Sequence, residues 1–232
     1  MTNHDFLNNP LSRKEKLYGT AWLLFELLLF PTVLQQLNRL LPTPVPPAGV
    51  NFLFFCVNFA VTLFLLRKYL LNQLKLAKDN LETVLQTVMV GFVAYWMLNF
   101  LVCCLIFAVD PEFSNINDNA IAKLAAENFP IMLFGIVILV PVAEESLYRG
   151  VIFRGIYDYS PALAWILSAG LFALLHIFRY TGSVSPSRLL LCFIQYLPAG
   201  LCLGAAYRLS GSILSPILIH AAVNLVGMMS MR

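Results

Sequence analysis

Charge is what this sequence has least of. Its 232 residues include 15 Lys or Arg and 12 Asp or Glu, so charged side chains make up 12% of the chain, against the ~25% usual in soluble domains. So few charges cannot cover a water-exposed surface of this size. A soluble enzyme, a disordered chain and a coiled coil are all disfavoured. The net charge of +3 is too mild to imply a nucleic-acid partner. The five cysteines, Cys56, Cys103, Cys104, Cys192 and Cys202, sit in apolar runs and form no Cys-x-x-Cys. They read as small packing residues, not as a disulfide framework or a metal site.

Apolar residues fill the space that charge leaves. They make up 59% of the chain, and mean hydropathy is +0.78. Runs of ~20 apolar residues are what a helix needs to cross a bilayer. Seven such runs are expected to span it, at 17–38, 50–71, 86–108, 129–152, 161–179, 188–207 and 211–229. The expected fold is all-α, a polytopic transmembrane helical bundle of seven or eight spans. Its first 128 residues supply three membrane helices and a polar connector, and residues 129–232 supply a second helical core, the two forming one integrated membrane domain. No small-residue cleavage pattern follows the first run, so that run reads as a retained span. The proline-rich stretch 42–47 is a rigid connector. The acidic stretch 110–128 is expected to hold a short amphipathic helix outside the core.

Lys and Arg concentrate at the start (Arg13, Lys14, Lys16) and around 67–85 (Arg67, Lys68, Lys75, Lys78), and are sparse at 39–49 and 109–128. That alternation puts the N-terminus in the cytoplasm. The compact chain is expected in a bacterial cell membrane.

The two halves differ in chemistry. From residue 140 onward, ionisable and amide side chains appear inside apolar helices: Glu144, Glu145, Arg149, His176, His220 and Asn224. Each is costly in hydrocarbon, by about 2.5–3.5 kcal/mol for a charged residue on insertion scales. In Glu144-Glu145-Ser-Leu-Tyr-Arg149, Glu145 and Arg149 are four apart and share a helix face. Glu144 is turned ~100° away, so one carboxylate can be paired while the other faces a cavity. Phe172 and His176 share a face, and the ring can wall a pocket beside the imidazole. His220 and Asn224 do the same on a later helix. Each pair alone is ordinary: a structural ion pair, a packing histidine, an interhelical hydrogen bond. Together they form a hydrolytic inventory, a carboxylate to take a proton from water and donors for a developing oxyanion.

Other membrane hydrolase signatures are missing. There is no His-Glu-x-x-His and no Gly-x-Ser-x-Gly, which argues against the usual zinc helix and serine elbow. Asp5, Asp79, Asp110, Asp118 and Asp158 all fall in loops or termini by this reading, so no aspartyl dyad is available within the membrane.

At this point the sequence resembles the CPBP family, the type II CAAX prenyl endopeptidases and bacteriocin-processing or abortive-infection-like membrane proteases. The resemblance rests on Glu-Glu-x-x-x-Arg at 144–149, Phe-x-x-x-His at 172–176 and His-x-x-x-Asn at 220–224. Gly200 and Gly204 add a close-packing pair between the last two. It covers about residues 129–229. It implies an intramembrane endopeptidase acting on a membrane-associated or prenylated-type peptide or protein, with the lipid bilayer as its surroundings. Glu144 would activate water with help from His176, His220 and Asn224 would form the oxyanion hole, and Glu145, Arg149 and Phe172 would support them. Zinc on Glu144, His176 and His220 is one version. A metal-free Glu/His site, in which a desolvated carboxylate is the base, is slightly preferred. The glutamate pair is expected to open toward the cytoplasm. Two alternatives remain: a non-catalytic binding or bacteriocin-immunity protein on the same scaffold, and a proton-coupled transporter, which the lack of an internal repeat disfavours.

Overall fold

The computed structural model describes residues 10–232. The first nine residues of the polar start lie outside them. Ser12 and Glu15 form a reciprocal capping box that opens α1, Arg13–Leu28. Glu15 Oε1 also accepts the Tyr69 N–H at 2.9 Å, so one carboxylate serves the unpaired donors of two helix starts. α2, Phe30–Arg39, continues α1 after a 51° bend. Pro31, which can donate no backbone hydrogen bond, lies two residues past the break. The connector to α3, Pro47–Leu65, is proline-rich as expected.

α4, Arg67–Asp79, corrects the expected span 50–71 and loop 72–85. The span ends at Leu65 and the chain turns into a separate amphipathic helix. Tyr69, Leu70, Gln73 and Ala77 are buried on one face, while Arg67, Lys68, Lys75 and Lys78 are exposed. α5 is Leu81–Val109 and α6 is Ile116–Glu127. The amphipathic helix expected within 110–128 is therefore present, but it is not outside the core. Ala125 and the N-cap Asn115 are buried, and α6 is tied to the bundle at both ends.

α7 runs from Phe129 to Tyr157, with π-helical turns at Gly135–Leu139 and Ser146–Arg154. α8 is Pro161–Phe178, α9 is Pro186–Ser210 and α10 is Leu214–Ser230. Gly211, with φ of +68°, closes α9 in the left-handed conformation that glycine adopts without strain. Among the described residues there is no strand, only an isolated bridge between Thr181 and Val184. α3, α5, α7, α8 and α9 are long and apolar enough to cross a bilayer, and the bent α1–α2 pair makes a sixth candidate. α10 is apolar but has 17 residues.

Burial is inverted relative to a water-soluble protein. Met89, Val93, Met97 and Leu105 of α5 are exposed, whereas Glu145, Ser146 and Arg149 are fully buried. With lipid as solvent, apolar side chains belong outside and polar groups must find partners within.

α7 and α8 form an antiparallel hairpin through the turn at 158–160. Linear counting with α7 ending at 152 places Glu144 and His176 at different depths. Because α7 continues through Gly150 and Gly155 without breaking, both lie about four helical turns from the 158–160 turn and line one cavity. α9 packs tightly on α8. A Cβ on Gly200 would lie 2.8 Å from the Ala169 Cα, and one on Gly204 would lie 3.0 Å from the Trp165 ring. Lys16 reaches the Gly155 carbonyl at 3.3 Å, the Ile213 N–H donates to Gln73 at 2.8 Å, and Arg208 Nε donates to the Tyr157 hydroxyl at 2.9 Å. These contacts gather α4 and much of the basic sequence at one end of the bundle.

Candidate active site

The Ser146–Arg154 π turn begins just after the glutamate pair, and the two carboxylates diverge. Glu145 and Arg149 pair at 3.1 Å with both side chains fully buried. Arg149 also donates to the Gly200 carbonyl at 3.2 Å, and its guanidinium lies 4.6 Å from the centre of the Phe172 ring. A buried guanidinium needs such a set of partners. The same Glu145 oxygen, Oε1, lies 2.9 Å from His220 Nδ1. Glu145 thus connects α7 to α10.

Glu144 faces a cavity of about 270 Å³ that His176, His220 and Asn224 also line. Its Oε2 is buried without a hydrogen-bond partner. His176 Nδ1 lies 2.8 Å from the Phe172 carbonyl. A carbonyl can only accept, so Nδ1 carries the hydrogen, and Nε2 of the neutral ring is an acceptor. Phe172 sits at the hub, with ring centroids 4.7 Å from His176 and 5.7 Å from His220.

Asn224 has a double position. Its Nδ2 donates to the Ile136 carbonyl at 2.8 Å. That carbonyl is orphaned by the π turn: the Val140 N–H is bonded to Gly135 instead, and the next residue, Pro141, has no N–H. The amide side chain supplies the missing donor and keeps one N–H and its oxygen for other partners.

Tyr196, Asp118 and Glu26 were not singled out as site residues by their sequence context. Tyr196 stacks on His176 at 4.2 Å, and its hydroxyl donates to Asp118 at 3.1 Å while accepting from Asn117 at 3.0 Å. Asn115 donates to Gln195 at 2.7 Å, and Glu127 accepts the Ala48 N–H at 3.2 Å. α6 is therefore a roof over the cavity, tied to α9 at one end and α3 at the other. Burial raises the Asp118 carboxyl above the usual range, opposed by the Tyr196 hydroxyl and the nearby His176. Only three-dimensional packing reveals these residues, because they belong to no short motif. A smaller void of about 60 Å³ shares His176, Tyr196, His220 and Asn224 with the main cavity and reaches Tyr95.

The cavity lies among the ends of α1, α3 and α8 that are remote from α4, with Asn51, Asp118 and Arg179 in its lining. The expected opening toward the basic end is therefore corrected. The charged residues that mark that end and the glutamate pair belong to different levels of the bundle.

The residue set does not fit a metal shell. Glu144, His176 and His220 line one cavity, but among the described residues no three His, Cys, Asp or Glu side chains close around one point as ligands must.

Residues 126–226 match the family model described as type II CAAX prenyl endopeptidase Rce1-like. No curated protein matches the chain, and no solved structure does. The matched segment runs from the end of α6 into α10 and contains all three motifs around the cavity. What this chain is similar to, over residues 126–226, is therefore the Rce1-like family of type II CAAX prenyl endopeptidases, a family of proteases.

Proposed function

We propose that this protein is an intramembrane endopeptidase in which Glu144 activates water against a peptide bond of a membrane-associated substrate. The observation that carries this reading is the unpartnered, buried Glu144 oxygen in a cavity shared with two histidines and an asparagine. A carboxylate so placed is free to take a proton from water.

In this mechanism a water donates to Glu144, with His176 Nε2 as a second acceptor that holds it. Glu144 removes one proton as the water oxygen attacks the carbonyl carbon. Negative charge develops on the carbonyl oxygen and is met by a His220 Nε2–H and the second Asn224 N–H. The His220 role requires a hydrogen on both ring nitrogens, with Nδ1–H donating to the Glu145 carboxylate. Collapse of the tetrahedral intermediate breaks the C–N bond, and Glu144 returns its proton to the leaving amine. The carboxylic acid and amine products account for every atom of the water.

Seven crossings complete the reading, with α1–α2 as one span and α10 as the last, the basic end in the cytoplasm and the two halves forming one membrane domain. The substrate is a membrane-associated peptide or protein, including the prenylated type.

The test uses purified full-length protein in detergent, wild type beside Glu144→Gln, with membrane-proximal and farnesylated peptides read by mass spectrometry. Cleavage by wild type and its loss by about 10²–10⁴-fold in the variant are expected for a general base. Equal cleavage by both forms would remove Glu144 from the mechanism.

A further inference from the structure

Glu26 is the one acidic residue deep in the first three spans, and it comes from α1, outside the matched 126–226 segment. It is 5% exposed and lines the same cavity as Glu144. Its Oε2 is buried without a hydrogen-bond partner; among the described residues it makes no contact ion pair, and Arg179 attracts it only from farther off. The other polar residues of α1 and α3 nearby are already matched: Trp22 Nε1 donates to Asn58 at 2.8 Å, and Asn58 also accepts from Thr62 at 3.3 Å. Glu26 is the one residue of α1 and α3 that faces the space with a buried, unpartnered side-chain oxygen.

A buried carboxylate without a partner is strongly disfavoured in a membrane helix. Arg179 offsets part of that cost from a distance, and a ligand cation in direct contact with the carboxylate offsets the rest. The cavity lining as a whole favours one: Glu26, Glu144 and Asp118 supply three carboxyl groups, and Arg179 is the single Lys or Arg among the lining residues. The cation is not a bound metal ion, because no three ligating side chains close around one point among the described residues. It is also unlike a lipid headgroup, since Glu26 lies in the cavity with Glu144 and not on the outer surface of the bundle. A substrate that presents its scissile bond to Glu144 brings its neighbouring side chains into the same cavity.

We infer that Glu26 forms a specificity subsite that accepts a basic side chain, lysine or arginine, close to the scissile bond of the peptide substrate. The inference rests on the endopeptidase reading and adds a residue from the N-terminal helices to it. Glu26 is a binding residue here and takes no part in proton transfer. A neutral amide of the same shape at this position keeps the volume and removes the charge, so the basic preference is lost while apolar peptides are held as before.

The test is equilibrium binding to purified full-length protein in detergent, followed by fluorescence anisotropy, with Glu144→Gln as background so that no turnover interferes. The probes are N-acetylated, C-amidated nine-residue apolar peptides with a terminal fluorophore. One lysine is walked through the sequence, and each peptide is paired with its norleucine counterpart. The expected result is one position at which lysine binds about tenfold more tightly than norleucine, a ratio that falls to about one when Glu26→Gln is added. Glu26→Asp should restore part of the preference, and the thermal unfolding midpoint reports that each variant is folded. Binding without a lysine preference, or a preference that survives Glu26→Gln, overturns the subsite and leaves the endopeptidase reading standing. Failure of every peptide to bind overturns both, because a cavity that takes no peptide has no peptide subsite.

Discussion

Glu145 Oε1 lies 2.9 Å from His220 Nδ1, across 75 residues of sequence. The same atom pairs with Arg149 at 3.1 Å. One buried oxygen therefore holds an imidazole on α10 and a guanidinium on α7, and fixes which face of the His220 ring is left for other partners. Glu145→Ala strips the Arg149 guanidinium and the His220 ring of their shared carboxylate. Removing one partner of a buried pair costs about 3–5 kcal/mol, so a large fall in the unfolding midpoint is expected in detergent. Glu145→Gln keeps an oxygen for both donors and should unfold at a clearly higher temperature than the alanine variant. If both variants melt like wild type, Glu145 is not the tie between α7 and α10.

Asn224 and Pro141 should be coupled. Asn224→Ala leaves the Ile136 carbonyl unsatisfied, at about 1–3 kcal/mol. Pro141→Ala supplies a backbone N–H in π register with that carbonyl. The double variant should regain much of the stability lost by Asn224→Ala, a non-additive result that a double-mutant cycle measures directly. Peptide cleavage should stay low in the double variant, because a backbone N–H cannot replace the amide side chain at an oxyanion. Recovery of cleavage along with stability would reduce Asn224 to a structural role.

Two glycines give a paired test of helix packing. Gly200→Ala would place its Cβ 2.8 Å from the Ala169 Cα and 3.0 Å from the Ala169 carbonyl oxygen. Backbone cannot yield as a side chain does, so a loss of about 1–3 kcal/mol is expected. The Gly200 carbonyl also accepts from Arg149, so cleavage should fall with stability. Gly170 has nothing within 4 Å of its Cβ position, and Gly170→Ala should be neutral or gain up to about 1 kcal/mol from helix propensity. Equal melting of the two variants would contradict the α8–α9 contact.

Asp118 makes the roof sensitive to pH. Burial raises its carboxyl above the usual aspartate range, so the docked state binds the proton more tightly than the undocked one. Docking stability from this group is then complete at pH below the ordinary aspartate value, and is lost as pH rises from there through the raised value. Hydrogen exchange across 116–127, corrected for intrinsic rates, should quicken over that window in wild type and lose the dependence in Asp118→Asn. A slower corrected exchange at higher pH would reverse the sign and refute the assignment.

The helices and the motif faces were readable along the chain because both depend on local spacing. Apolar runs of the required length marked the spanning helices, and four-residue spacing alone predicted the Glu145–Arg149 pair. The boundaries failed where local rules were ambiguous. Leu66 ends α3 inside an apolar stretch, and the 67–79 segment is apolar enough on one face to look like a continuation. The span expected to end at 152 continues instead through Gly155 to Tyr157.

Sequence by itself determined that this chain belongs in a bilayer, that it is helical, and that one of two adjacent carboxylates would be paired while the other is turned away. Tertiary structure decided which histidine the paired carboxylate holds, that Asn224 closes a gap in the α7 ladder 88 residues away, and that Glu26 faces the same cavity as Glu144. The physical reason is that π turns shift helix faces by a fraction of a turn that a 3.6-residue period does not record. Contacts between distant helices then depend on how ridges, glycines and kinks set those faces against one another.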